Sequence, residues 1–371
     1  MIYTFKRWLR AGLIAILLTL SLGLGSAFWS GSANASLLIA SLPAGNAITD
    51  GRAILRYALP IDNKPVRQMQ KALEDVAEQL RVSRRKLTAI NGNLSIADRI
   101  LNSKQAELLA SVPSDRQPQA EALIAKLQSD LTEIRAAVDA QDRDAVLQKR
   151  VAFLDTVSQL EELMVTEFPF TVPEEYQNLP QLKGRATIAV KTSKGDLTVV
   201  VDGYSAPVTA GNFVDLVQRK FYDGLEFTRQ EDSYVLQIGD PPGPEVGFID
   251  PATKQYRAIP MEVLVEGETE PIYGTTLEAA GRYLDNPVLP FSSYGALAMA
   301  RPGSDPNGGS SQFFFFLFEP ELTPAGRNLL DGRYAVFGYV VEGKEVLEKL
   351  KAGDRIDSMT VVSGADKLVT P

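Results

Sequence analysis

The chain has 371 residues, 45% of them hydrophobic, a formal charge of −8, and neither cysteine nor histidine. That length holds two ordinary domains, each with its own core. The acidic balance excludes a nucleic-acid partner, which needs a basic surface, and the missing residue types exclude disulfides, thiolate or imidazole metal sites, and unperturbed imidazole titration near neutrality.

Lys6, Arg7 and Arg10 precede an apolar run from Ala11 to about Gly25, and Ala33-Asn34-Ala35 follows it. These are the three parts of an export signal, with cleavage expected after Ala35. The run is shorter than the roughly 20 apolar residues of a spanning helix. Removal of residues 1–35 takes three basic and no acidic residues, moving the charge from −8 to −11. The mature chain is expected to be soluble in an exported compartment.

From Val66 the apolar residues Val66, Met69, Leu73, Val76 and Leu80 recur three and four apart, the stripe of an amphipathic helix. The period returns in Ala120, Leu123, Leu127, Leu131, Ile134 and Val138, and again in Leu147, Val151, Leu154, Val157 and Leu163. A shorter piece, Ile96 to Leu109, lies between breaks at Asn91-Gly92-Asn93 and Pro113-Ser114-Asp115. The sum is a bundle of about four helices over residues 36–166.

Residues 167–185 carry Phe168-Pro169-Phe170-Thr171-Val172-Pro173 and Leu179-Pro180, which suit neither helix nor central strand. This linker is expected to lie against a surface through its apolar residues. Residues 186–371 begin with alternating runs, Thr187 to Thr192 and Leu197 to Val201, about the turn Ser193-Lys194-Gly195-Asp196, which reads as a hairpin. The acidic run Glu262 to Glu270, in the long stretch between Asp240 and Gly295, reads as a solvated insertion. Gly303 to Gly309 reads as a plain turn, since no lysine follows as in a phosphate loop.

Four segments of this second part carry chemistry. Phe227-Thr228-Arg229 with Tyr234-Val235-Leu236-Gln237 and Gly239-Asp240 sets one arginine and one glutamine among apolar neighbours. Gly295 to Arg301, then Gly309-Ser310-Ser311-Gln312-Phe313-Phe314, then Leu329 to Gly338 follow. Taken singly, Arg229 is an ordinary solvated cation and Phe313 to Phe316 a buried strand. In this order, with Ala206 to Phe213 ahead of them, the segments resemble the cyclophilins, the peptidyl-prolyl isomerase family, over roughly residues 186–365.

The resemblance implies an α+β multidomain chain, an N-terminal α-helical bundle followed by a cyclophilin-like closed β-barrel with flanking helices. Rotation about an X-Pro bond meets a barrier of roughly 18–20 kcal/mol, because the twisted amide loses its resonance. No bond breaks, so no cofactor, metal, nucleophile or general base is needed; the catalyst supplies a slot, a grip and a donor preorganised for the transition state. By resemblance, Arg229 donates to the prolyl nitrogen and Gln237 holds its guanidinium. Phe314 forms the floor of the slot, and Val235, Leu330 and Tyr234 its walls. Gln312 and the backbone at Ala300 and Arg301 bind the substrate chain, while Leu329 and Tyr334 take two rim positions.

The chain also departs from the family pattern. Thr228 replaces the usual histidine, Tyr234 a phenylalanine, Val235 a methionine and Leu329 a tryptophan associated with cyclosporin binding. Arg301-Pro302 stands for an asparagine-alanine pair, and Pro302 has no N–H to give. Gln230-Glu231-Asp232-Ser233 brings two carboxylates near Arg229. An exported helical domain joined to a divergent cyclophilin, with Ala58 to Pro65 at the entry to the bundle, resembles the large thylakoid-lumen cyclophilins. That resemblance implies a folding and assembly factor for photosystem II, acting on proline-containing polypeptides in the lumen or a periplasm. Two readings stand: an assembly factor with weak or lost isomerase activity, which is favoured, and a fully active general isomerase. The apolar linker further suggests that the chain's own helical domain lies against the groove.

Overall fold

The computed structural model describes residues 48–82, 87–231, 234–318 and 328–371; the expected export signal and the side chains of the acidic segment after Arg229 lie outside them. The described residues belong to one compact unit. First comes a short helix, α1 (Gly51–Ala58), whose cap Asp50 accepts from the Arg52 N–H at 3.1 Å. It is absent from the periodicity reading. The expected bundle follows as α2 (Lys64–Val82), α3 (Asn91–Ser103), a single turn α4 (Gln105–Leu109), α5 (Gln117–Asp139) and α6 (Arg143–Leu163).

The α2 stripe is buried throughout, and Leu127, Ile134, Leu154 and Val157 meet it in one core. Two details differ from the expected pattern. Val151 is exposed, and Val146, Phe153 and Leu160 take the inner face of α6 instead. Asn91-Gly92-Asn93 opens α3 and is not a break, because the buried Asn93 amide donates to the Ala72 carbonyl at 2.8 Å and fastens α3 to α2.

The linker packs as expected: Val172 is buried in the second core, with Phe170, Tyr176 and Leu179 against it. Its end forms β1 (Gln181–Leu182), paired with the C-terminal β12 (Leu368–Val369). The expected hairpin is β2 (Arg185–Thr192) with β3 (Gly195–Asp202). These join β4 (Arg229–Glu231), β5 (Val235–Ile238), β8 (Ala296–Met299), β9 (Phe313–Phe316), β10 (Val336–Glu342) and β11 (Ile356–Ser363) in one sheet of order β11-β2-β3-β10-β8-β9-β5-β4. The long stretch after Asp240 adds a small ladder, β6 (Glu262–Val263) with β7 (Ile272–Tyr273).

The expected closed barrel is corrected. The sheet curls but stays open, with β11 and β4 as its edges and, among the described residues, no ladder between them. The segments leading into those edges approach each other, with Gly224 N donating to Ile356 O and Phe227 N to Asp354 O. The bridge there, Glu226 with Arg355, sets a register in which β4 faces residues 350–352, ahead of β11, so the contact does not become a ladder between the two edge strands.

Side-chain alternation along β9 divides the interior from the site. Phe313 and Phe315 enter the core with α7 (Pro207–Gln218), a helix buried on almost every side. Phe314 and Phe316 enter a second cluster on the opposite face, and there Ile54, Leu55 and Ala58 of α1 pack beside them. Arg52 fastens this contact, pairing with Glu342 of β10 at 2.9 Å and with Asp155 of α6 at 2.8 Å. Arg185 of β2 donates to the Leu55 carbonyl.

Candidate active site

Antiparallel register builds the site as a row across three strands. Arg229 of β4 lies opposite Gln237 of β5, which lies opposite Phe314 of β9, on the face away from α7. Val235, two residues before Gln237, lies opposite Phe316 and shares that face. The row opens into a cavity of about 310 Å³, lined by Arg229, Tyr234, Val235, Gln237, Ala300, Arg301, Gln312, Phe314, Leu330 and Tyr334 among others. The register and the turns therefore bring together ten residues expected from the sequence.

Leu329 is the exception. Its side chain is 81% exposed and does not line the cavity. Asn328 makes a turn in which its side-chain oxygen accepts from Leu330 N at 2.9 Å while its own N–H donates to Asp331. That turn carries Leu330 to the cavity and leaves Leu329 outside.

Phe314 is a rigid floor. Its ring stacks on Phe291 at 6.0 Å with 6° between planes, and Tyr334 stands edge-on to it at 5.3 Å. Both arrangements suit the ring quadrupole and fix the slot's width. Tyr234 meets Phe316 edge-on at 5.6 Å and closes the far wall.

The polar side is a chain of amides. Gln237 Nε2 donates to Gln312 Oε1 at 2.7 Å, and Gln312 Nε2 donates to Asp240 Oδ1 at 3.0 Å and to Val246 O at 2.8 Å. Gln312 thus ties the central strands to the stretch after Asp240. Gly239, just before it, sits at φ +105°, and a Cβ there would overlap the Ser311 carbonyl. Ser311 Oγ donates back to Gly239 O at 2.7 Å, so the two backbones meet closely enough to require glycine.

Arg301 lies over the Tyr334 ring at 5.1 Å and donates to the Arg333, Pro302 and Gly303 carbonyls. Its guanidinium braces the rim of the slot. Val246 and Tyr256 complete the wall near Gln312. Both come from the long insertion, whose irregular sequence gives no periodic signal of where its side chains point.

Among the described residues no aspartate or glutamate lines the cavity, and no group of three or more suits a metal ion. Carboxyls that titrate near neutrality lie elsewhere. Glu262, read as part of a solvated insertion, is buried, and its carboxylate accepts from Val208 N, Thr209 N and Thr209 Oγ1 at 3.0–3.2 Å at the start of α7. Burial pushes it up to about 7 against the pull of those donors. The exposed Glu266 and Glu268 fit the solvated reading; Glu262 does not.

The arrangement suits one kind of chemistry. An apolar slot with a flat aromatic floor has room for a proline ring, and a guanidinium at its edge is placed where a donor is needed by a nitrogen whose lone pair localises as the amide twists. Such a donor binds the twisted state more strongly than the planar one, and that difference is the catalysis.

Known proteins show the same two-part division. Residues 50–165 match the family described as peptidyl-prolyl cis-trans isomerase CYP38-like, PsbQ-like domain, and residues 187–368 match the cyclophilin type peptidyl-prolyl cis-trans isomerases. A Synechocystis protein provisionally named a thylakoid lumen peptidyl-prolyl cis-trans isomerase is 58% identical over 98% of this chain and 96% of its own length. The chloroplastic isomerase CYP38 of Arabidopsis thaliana is 45% identical over 90% of this chain and 78% of its own, and CYP37 of the same plant is 33% identical over 86% and 71%. The name of the Synechocystis protein places it in the thylakoid lumen and the names of the two Arabidopsis proteins place them in the chloroplast, which supports an exported, thylakoid-lumen location for this chain. The chain belongs to the cyclophilin-type peptidyl-prolyl cis-trans isomerases, and within them to those that carry a CYP38-like, PsbQ-like helical domain ahead of the cyclophilin domain.

Proposed function

We propose that this isomerase serves as a protein-folding and assembly factor for photosystem II, binding proline-containing segments of its subunits with a reduced rate of isomerisation. The assembly role is supported by the resemblance to large lumen cyclophilins and by the PsbQ-like helical domain beside the groove. The reduced rate rests on one observation: the Gln312 side chain is engaged within the protein, its Oε1 by Gln237 and its Nε2 by Asp240 and Val246. Pro302 offers no N–H in compensation. Substrate backbone is then gripped by fewer groups, while the Arg229, Gln237 and Phe314 row keeps the means of catalysis. That intact row favours the second reading, a fully active general isomerase.

The helical domain's part in this reading is the apolar cluster it shares with the cyclophilin domain. Ile54 and Leu55 join Phe291, Phe314 and Phe316, and the described lining of the cavity comes from residues 229–334.

Isomerisation of a short X-Pro peptide by the full chain, beside Arg229→Ala, separates the readings. A loss of roughly 10²–10³-fold is expected on removing a principal transition-state donor. A full-chain rate no higher than that of Arg229→Ala would make the groove a binding site only. Complementation of a strain lacking the protein tests the assembly role: if Arg229→Ala restores photosystem II levels, assembly work does not depend on isomerisation.

A further inference from the structure

Among the described residues the partners of Arg301 are three backbone carbonyls and the face of Tyr334, none of them a carboxylate. Its neighbour Arg333, in contrast, is paired with Glu278 at 2.8 Å. The carbonyls orient the Arg301 guanidinium without neutralising it, so a fixed positive charge stands at the rim of a cavity whose described lining has no carboxylate. The steps from the Phe314 floor to Tyr334 and from Tyr334 to Arg301 are 5.3 and 5.1 Å. An extended chain advances about 3.3–3.6 Å per residue, so a proline seated on Phe314 has its near neighbours beside Arg301.

We propose that Arg301 is a specificity residue, and that the groove selects proline segments bearing a carboxylate side chain one or two residues from the proline. The proposal rests on the reading of this groove as the client-binding site. A preformed guanidinium loses less conformational freedom on pairing than a mobile one, and partial removal of water in the cleft strengthens the attraction. The pair stays open to solvent, which bounds the preference and makes it salt-dependent.

The test uses the full chain and three matched peptides that differ only in Glu, Gln or Lys beside the proline. Their affinities and kcat/KM values are measured at low and at about 0.5 M salt, where the screening length is well under 10 Å. Glu over Gln is expected by about two- to fivefold, the range of an exposed ion pair, with Lys poorest and the order compressed at high salt. In Arg301→Gln the Glu-to-Lys ratio falls to near unity whatever the absolute values become, whereas Arg301→Lys keeps part of it. A brace that only supports the loop would change all three peptides alike and leave the ratio unmoved. Three peptides handled equally by the unmodified chain would overturn the proposal and leave the isomerase reading intact. If none is bound, both fail together.

Discussion

At Gly239 the backbone of one segment meets the backbone of the next so closely that no side chain fits. The residue is in the left-handed region at φ +105°, and a Cβ would strike Ser311 just before Gln312. Gly239→Ala therefore strains its own backbone and pushes the Ser311 and Gln312 segment away from Gln237. A loss of about 2 kcal/mol or more is expected, read as a lower midpoint of thermal unfolding, with weaker peptide binding. An unchanged midpoint would show that the chain relaxes there without cost. Residues of this kind explain what the sequence disclosed about the site. Arg229, Gln237 and Phe314 are legible because strand register, with its period of two, turns spacing into a shared face. Leu329 and Leu330 are not distinguishable in the same way, since a turn set by Asn328 decides which of them faces the slot. Val246 and Tyr256 depend on the path of an irregular insertion, which no local pattern specifies.

Elements show the same division. The bundle helices were legible because each repeats its apolar residues for several turns, and the hairpin because it alternates. The eight-residue α1 has no such run; its buried face is defined by Tyr339 and Phe291 on a strand and a loop far along the chain. Gly51, at its start, lies so close to Tyr339 that a Cβ would overlap that side chain. The insertion likewise conceals a structural part. Glu262 of β6 reaches the unpaired N–H groups at the start of α7, where a carboxylate suits both the hydrogen bonds and the helix dipole. Glu262→Gln replaces one acceptor oxygen with a donor facing other donors. It should lower stability by about 1–3 kcal/mol, the cost of a buried group left without a partner. Chemical denaturation of the full chain measures this, and an unchanged transition midpoint would place the role of Glu262 outside stability.

In the molecule as a whole, the helical domain meets the cyclophilin sheet through apolar contact and through the pairs Arg52–Glu342 and Arg185–Glu162, and behind that seam charge ties α1 to the rest of the bundle. Arg56 of α1 pairs with Glu74 of α2 at 2.9 Å, and Arg67 of α2 reaches Glu161 of α6 at 3.1 Å while donating to the Arg56 and Leu59 carbonyls. Glu161 is fully buried, and its second oxygen, Oε2, has no hydrogen-bond partner among the described residues. The groups that act on it are Arg67, Arg56 and Arg185, which favour its charge, and Glu74, which opposes it. Burial outweighs the three arginines and pushes the carboxyl up to about 7 from the ordinary 4.5. A histidine-free chain thus acquires groups that titrate near neutrality.

The sign follows from proton linkage. Between about pH 4.5 and 7 the folded chain holds a proton at Glu161 that the unfolded chain has released, so stability falls as pH rises through this window and is regained on acidification. At about 1.36 kcal/mol per pKa unit the full effect is on the order of 3 kcal/mol. Glu262 contributes in the same direction over the same window. Unfolding free energies of the full chain measured from pH 8 to 5 should therefore rise as pH falls. Glu161→Gln, which stays neutral throughout, should remove part of that rise by losing the junction's share and keeping those of Glu262 and of Glu162, whose carboxyl burial also raises. A slope identical in the two proteins would mean that Glu161 stays ionised beside Arg67, and that the junction is held by a charged pair at every pH in the range.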